Sequence, residues 1–317
     1  MNGFDCSPIR IEPQLRERVW GGRRLRADGP PVGEAWVIHG ANRVVSGPGA
    51  GGSLADLAAT RGEQLLGRRV VDRYGNRVPL LIKLIDAAEW LSVQVHPNDA
   101  VARQLEGPGY FGKTEAWFVL ESEPGAEIIA GVREGVSKAE LERAITGGGI
   151  LPLVQRMPVQ PDQAILLRAG TIHALGPGIL VYEVQQDSDL TYRVYDWDRP
   201  PSAGRELHIQ QAVASADPQA SPEPVMAANT EGEQELVACE YFRLQLVTVG
   251  ESPLSLDTER ASFHAVTAIE GTIEVHTSSG DETVAKYDSV IIPACAGSYS
   301  IAASGTGRAR ALVASVP

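Results

Sequence analysis

The sequence is poor in cysteine: Cys6, Cys239 and Cys295 are widely spaced among 317 residues, and no CxxC pair exists. That argues against a cysteine-built zinc site and against a disulfide framework. Long apolar runs are missing too. The longest strongly apolar stretch, VPLLIKLI (Val78–Ile85), is far too short to span a bilayer and carries Lys83. The amino-terminal MNGFDCSPIRIEPQLRERVW has no apolar core of the kind a secretory signal needs. Positive charge is scarce: 28 Lys+Arg against 40 Asp+Glu give a net charge of -12. Nucleic acids and anionic membranes are held by clustered positive charge, so neither is an expected partner. An anionic small molecule stays open, because a few basic groups in one pocket suffice for it. The setting these absences suggest is soluble, reducing and cytoplasmic.

What is present reads as a globular chain. Hydrophobic residues make up 43% and charged residues 21%, which does not describe a disordered protein. The length suggests about two domains. Short segments rich in Val, Ile, Leu and Trp, separated by Gly, Pro and Asp turns, dominate; examples are Leu80–Ile85, Glu115–Leu120, Ile179–Gln185 and Phe263–His276. Helices are few. Ser53 caps one running to about Leu66, Ser137 and Glu140 form a capping box before Leu141 and Ile145, and a third covers Ile209–Ser215. The pattern predicts a mostly β fold of tandem barrels with a few short helices. Residues 216–235 are rich in Pro, Ala and acid and read as a linker. The expected division is 1–215, with the chemistry, then that linker, then a barrel over 236–317. The halves echo one another faintly, and where the first has His173 the second has Ser298. The second barrel is therefore expected to be structural, without a metal site.

Three stretches carry candidate chemistry. In LSVQVHPND (Leu91–Asp99), strand alternation puts Ser92, Gln94 and His96 on one face and Leu91, Val93 and Val95 on the other. In GKTEAWFVL (Gly112–Leu120), Glu115, Trp117 and Val119 share a face, with Lys113 just ahead. A carboxylate leading into an apolar strand costs desolvation unless it is paired or bound to a cation. RAGTIHALG (Arg168–Gly176) is a turn followed by a histidine at a strand start. Two histidines and a carboxylate from different strands make a possible zinc set with positions left for water or substrate. The third stretch, LVYEVQQDSDLTYRVYDWDR (Leu180–Arg199), puts Val181, Glu183 and Gln185 on one face and brings Arg193 after an acidic turn; a salt-bridged hairpin would look the same. GPGYFGKT (Gly107–Thr114) matches the P-loop pattern, but a helix before it and a strand after it invert the context that phosphate binding requires.

These motifs resemble the type I mannose-6-phosphate isomerases, or phosphomannose isomerases, in their short bacterial form. The resemblance runs from Val19-Trp-Gly-Gly22 and Gly33-Glu-Ala-Trp36 through the three stretches to Arg205-Glu-Leu-His-Ile209, and SVQVHPND, GKTE and SDxTYR in this order are specific. It implies a tandem cupin (jelly-roll) arrangement with one zinc ion per chain. By resemblance His96, Glu115 and His173 are zinc ligands, with Gln94 a possible fourth. Arg193 matches the catalytic arginine, and Glu183 and Asp189 match acidic residues near the sugar. Lys83, Ser92 and Lys113 fall on positions of the substrate pocket. The activity implied is interconversion of mannose 6-phosphate and fructose 6-phosphate through a cis-enediol. Glu183 could be the general base, and Lys83 could neutralise the phosphate. The implied partner is a small phosphorylated sugar, and the chain is expected as a monomer or small homo-oligomer. A non-catalytic sugar-phosphate-binding cupin and a metal cupin of another reaction type remain alternatives, because one barrel hosts many functions.

Overall fold

The computed structural model describes residues 4–200, 205–222 and 224–317. The chain is mostly β and divides into two compact units, neither of them contiguous: Met1–Gln14, Trp36–Lys83 and Ala227–Pro317 form one, and Leu15–Ala35 with Leu84–Met226 the other. The changeover at Met226 falls inside the segment read as a linker, which itself supplies the short strand Pro224–Met226 and the start of Gly232–Ala238. The amino-terminal residues depart from a split at 216–235, because they pack with the carboxy-terminal strands. Ile9–Ile11 pairs with Ser289–Ile292, and a partner nearly the whole chain away leaves no local signal.

That pairing also explains a correction. No disulfide was expected of three scattered cysteines, yet Cys6 and Cys295 are bonded, with Cα atoms 5.8 Å apart. Strand register Ile9↔Ile291 brings the two together across 289 residues. The bond sits uneasily with the reducing setting suggested above.

In the carboxy-terminal unit a seven-stranded sheet, which includes Arg243–Val249, His264–Glu270 and Ala309–Ser315, accompanies the four-stranded sheet of Leu254–Asp257, Ser298–Ala303, Ile273–Thr277 and Gly280–Val284. Its interior is apolar, filled by residues such as Val247, Val266, Ile273, Val290, Ile301 and Val313. His264 is buried and hydrogen-bonds through Nδ1 to the Tyr299 hydroxyl at 2.8 Å.

In the other unit a central run of antiparallel strands, Gln163–Leu167, Glu115–Ser122 and Ile179–Gln186, faces a five-stranded sheet ordered Tyr192–Tyr195, Val93–Val95, His173–Leu175, Glu127–Val132 and Val154–Pro158. Trp117, Val119, Ile128, Leu175, Ile179 and Val181 fill the space between. The outer face of the five-stranded sheet is covered as well. Val93, Val95, Ile129 and Val194 pack against Leu141 and Ile145 of helix Lys138–Thr146 and Ala212 of helix Ile209–Ser215. The Ser137–Glu140 capping box that starts the first of these is present in both directions. Each large aliphatic buried this way contributes roughly 1.5–3 kcal/mol relative to exposure. Strands held on both faces give their side chains fixed directions, and this is what positions the site. Among the described residues no helix is long and apolar enough to cross a membrane.

Candidate metal centre

The site is made by two rows of cross-strand neighbours that face each other. In the five-stranded sheet, Gln94 lies between Arg193 on one side and His173 on the other. In the facing sheet, Glu115 lies between Leu167 and Gln185. Alternation explains why these residues point inward: Val93 and Val95 take the outer, helix-covered face and leave Gln94 to the inner one. Leu91 departs from the expected pattern. It precedes the strand, which starts at Val93, and packs with the inner cluster.

Tight turns bring in the remaining groups. Gly170, with φ of +93°, donates its N–H to His96 O at 2.8 Å and so joins the two histidine-bearing segments. A Cβ on Gly112 would lie 2.6 Å from the Asn98 and Asp99 backbone. Only glycine allows this approach, which lets Lys113 N–H donate to Pro97 O at 2.9 Å and aims its side chain inward.

His96 Nδ1 is 2.7 Å from Leu190 O, and His173 Nδ1 is 2.8 Å from Thr171 O. A carbonyl only accepts, so each Nδ1 carries the proton and each Nε2 presents a lone pair. Those lone pairs are aimed at one carboxylate. His96 Nε2 is 3.4 Å from Glu115 Oε2, and His173 Nε2 is 3.3 Å from Glu115 Oε1. All three side chains are buried; Glu115 Oε2 is paired with the Lys113 ammonium at 2.7 Å, and Glu115 Oε1 has no hydrogen-bond partner. Acceptors turned on one another in a dry site repel unless a cation stands among them; Lys113 serves the His96–Oε2 edge and leaves the His173–Oε1 edge without one. One donor atom from each of the three side chains lies within 4.8 Å of the other two, close enough for a single ion to reach all three. Imidazole Nε2 locked by a carbonyl on Nδ1 is also the usual arrangement of a metal-binding histidine.

The electrostatics follow from burial. Desolvation, then the Lys113 ammonium, pushes His96 down to about 3. His173 is lowered chiefly by desolvation. Burial alone would raise Glu115, but the Lys113 ammonium outweighs it and holds the carboxyl well below its ordinary range. Both histidines are therefore neutral in the folded protein, whereas unfolded imidazoles titrate near 6.5. Below that pH the unfolded chain takes up protons that the fold refuses, so stability falls as pH drops from 6.5 toward 3. His96 contributes up to ~1.4 kcal/mol per pH unit in that window, and His173 acts in the same direction. The melting temperature of metal-free protein is expected to decline steadily from pH 7 to pH 5; a flat profile over that interval would contradict neutral, buried imidazoles.

Known proteins resemble this chain. The model of the type I phosphomannose isomerase catalytic domain matches residues 9–112. A mannose-6-phosphate isomerase of Streptococcus mutans is 41% identical over 220 residues, 66% of this chain and 67% of its own length. One from Bacillus subtilis is 33% identical over 312 residues, 93% of this chain and 95% of its own. This chain belongs to the type I mannose-6-phosphate isomerase family. A crystal structure of a Bacillus subtilis mannose 6-phosphate isomerase aligns with a TM-score of 0.82 at 32% identity, covering 97% of this chain and 99% of that one.

Around the three convergent side chains the other residues suggested by the family resemblance take different places. Gln94 is adjacent: its amide nitrogen is 3.2 Å from His173 Nε2, and its Oε1 accepts from Ser92 Oγ at 3.3 Å. Lys113 is buried, with Nζ 2.7 Å from Glu115 Oε2. Glu183 is buried and accepts from Trp117 Nε1 at 2.9 Å. Arg193 is half-buried, its Nε buried without a hydrogen-bond partner. Desolvation, then Arg205, lowers its pKa, while Asp196 and Asp189 oppose that. Asp189 itself is exposed. Lys83 is buried in the other unit, with Nζ 5.6 Å from the Trp36 ring centroid.

The sequence reading missed several contributors of this mannose-6-phosphate isomerase family member. Leu190 and Thr171 act through backbone carbonyls, which carry no side-chain signature. Trp117 was placed on the correct face but not recognised as the partner of Glu183. Arg205, at the end of the family resemblance, pairs with Asp196 at 2.6 Å and reaches Ser92 Oγ at 3.5 Å. Gln186 ties Thr114 N to Asp99 and so braces the segment between Lys113 and Glu115.

Proposed function

We propose that this protein interconverts mannose 6-phosphate and fructose 6-phosphate at one zinc ion held by His96, Glu115 and His173, with Gln94 as the fourth protein ligand. The observation that carries this is the convergence of two proton-free Nε2 atoms on one buried carboxylate whose Oε1 has no hydrogen-bond partner. When bound, the ion supplies Lewis-acid polarisation of the sugar oxygens. For Gln94 to serve it, the amide presents Oε1, not the nitrogen it now turns to His173.

The chain's own groups do the rest. Glu183 moves the proton between C1 and C2 of the open-chain sugar, through a cis-enediol. Trp117 Nε1 donates to Glu183 Oε2 and so fixes the direction of the carboxylate. Arg193 offers a buried N–H donor to the charge that develops on the enediolate oxygen. Lys113 and Ser92, with Asp189 at the rim, orient the substrate. For the phosphate, Arg205 beside Ser92 is a candidate. The carboxy-terminal barrel is proposed to be structural, and a substrate too charged to cross a membrane unaided favours a cytoplasmic setting.

Protein stripped with a chelator should lose isomerisation of mannose 6-phosphate and regain it with one equivalent of zinc. Activity absent with every metal would reject the reading.

A further inference from the structure

The ammonium of Lys113 lies 2.7 Å from Glu115 Oε2 and 3.1 Å from His96 Nε2. Both are donor atoms of the metal set. With Nδ1 committed to Leu190 O, His96 Nε2 has a single lone pair. That pair can accept an N–H from Lys113 or bind a metal, but not both. Glu115 faces the same choice less strictly, since a carboxylate oxygen has room for two partners while an ammonium beside a dication is repelled.

We propose that Lys113 is an internal cation that competes with the metal, so that metal loading is an exchange. Entry of the ion breaks the Lys113–His96 hydrogen bond and drives the ammonium from the donor set toward the substrate side. In metal-free protein the same ammonium balances the buried Glu115 carboxylate and keeps the site folded. Lys113 thereby weakens metal binding, and its charge becomes available to an anionic sugar only once the metal is in place. This rests on the metal centre proposed above.

The test is the zinc affinity of Lys113→Met, a chain of similar length without charge, measured by competition with a chromophoric chelator on metal-free protein. The variant is expected to bind zinc at least tenfold more tightly than wild type. Its metal-free form should melt at a lower temperature, and zinc should raise that temperature by more than in wild type. Lys113→Gln, whose amide can still donate to Glu115, is a second variant with the same expected direction should the methionine form not fold without zinc. Equal or weaker zinc binding in the folded variants overturns the exchange. A wild-type protein that binds no zinc overturns the metal centre itself, which is a different result.

Discussion

Glu115→Gln is expected to lower turnover by about a thousandfold or more, or ~4 kcal/mol, and to leave the purified protein with only traces of zinc. Glu115 is the sole anionic donor of the set and is fully buried. Without its charge the site consists of neutral imidazoles beside a buried ammonium, and its net charge rises from zero to plus one. A dication finds no counter-charge there. The substitution also strands Lys113, because a buried charge that loses its partner destabilises a fold by roughly 3–5 kcal/mol. Metal-free Glu115→Gln should therefore melt well below metal-free wild type. Adding Lys113→Met should restore much of the stability while leaving turnover lost, because the structural debt belongs to the ion pair and the chemistry belongs to the carboxylate. Zinc content and melting temperature on the single and double variants are the measurements. A Glu115→Gln protein that keeps stoichiometric zinc and activity within tenfold of wild type would remove Glu115 from the ligand set.

The same residue shows how far a sequence reaches. Its inward direction was legible, because alternation along Glu115–Ser122 sorts Glu115, Trp117 and Val119 onto one face. Gln94 between Val93 and Val95 was legible for the same reason. Capping chemistry was legible too: the Ser53 cap and the Ser137 box need only residues of the first helical turn. Periodicity gives a face but not the neighbour across it. That Glu183 stands opposite Trp117, and that His173 and Arg193 flank Gln94, depends on strand register, which no local pattern states. The Cys6–Cys295 bond and the membership of Ile9–Ile11 in the carboxy-terminal sheet were hidden more completely, since both rest on pairing across most of the chain. The histidine tautomers were beyond reach as well, because they are fixed by main-chain carbonyls of Leu190 and Thr171 and any residue at those positions would supply the same atom. Lys83 shows another limit: a lysine in an apolar run is conspicuous in sequence, but no local pattern states which compact unit it joins.

Arg193→Ala is expected to reduce kcat by about a hundred- to a thousandfold while zinc content stays at one per chain, which is the usual cost of removing one donor to a developing oxyanion. The separation of the two readouts follows from the fold. Arg193 is a cross-strand neighbour of Gln94, but its side chain is not among those that converge on the metal position. Its backbone is fixed independently of its guanidinium: Arg193 O accepts from His208 N at 2.8 Å, and Arg193 N donates to His208 Nδ1 at 3.3 Å. Truncation should thus leave the strand and the neighbouring ligands in place. What disappears is a charged donor whose Nε is buried and unmatched by any described protein acceptor, an arrangement that costs stability unless a substrate oxygen uses it. Metal-loaded Arg193→Ala may be compared with Arg193→Lys, which restores charge but not the planar fork; partial recovery of kcat points to charge, and none to geometry. KM should change far less than kcat if the donor acts chiefly on the enediolate, since an interaction made in the transition state alone leaves ground-state binding intact. A variant with normal kcat and raised KM would instead make Arg193 a binding residue, and the proton-transfer role proposed for its surroundings would then rest on Glu183 alone.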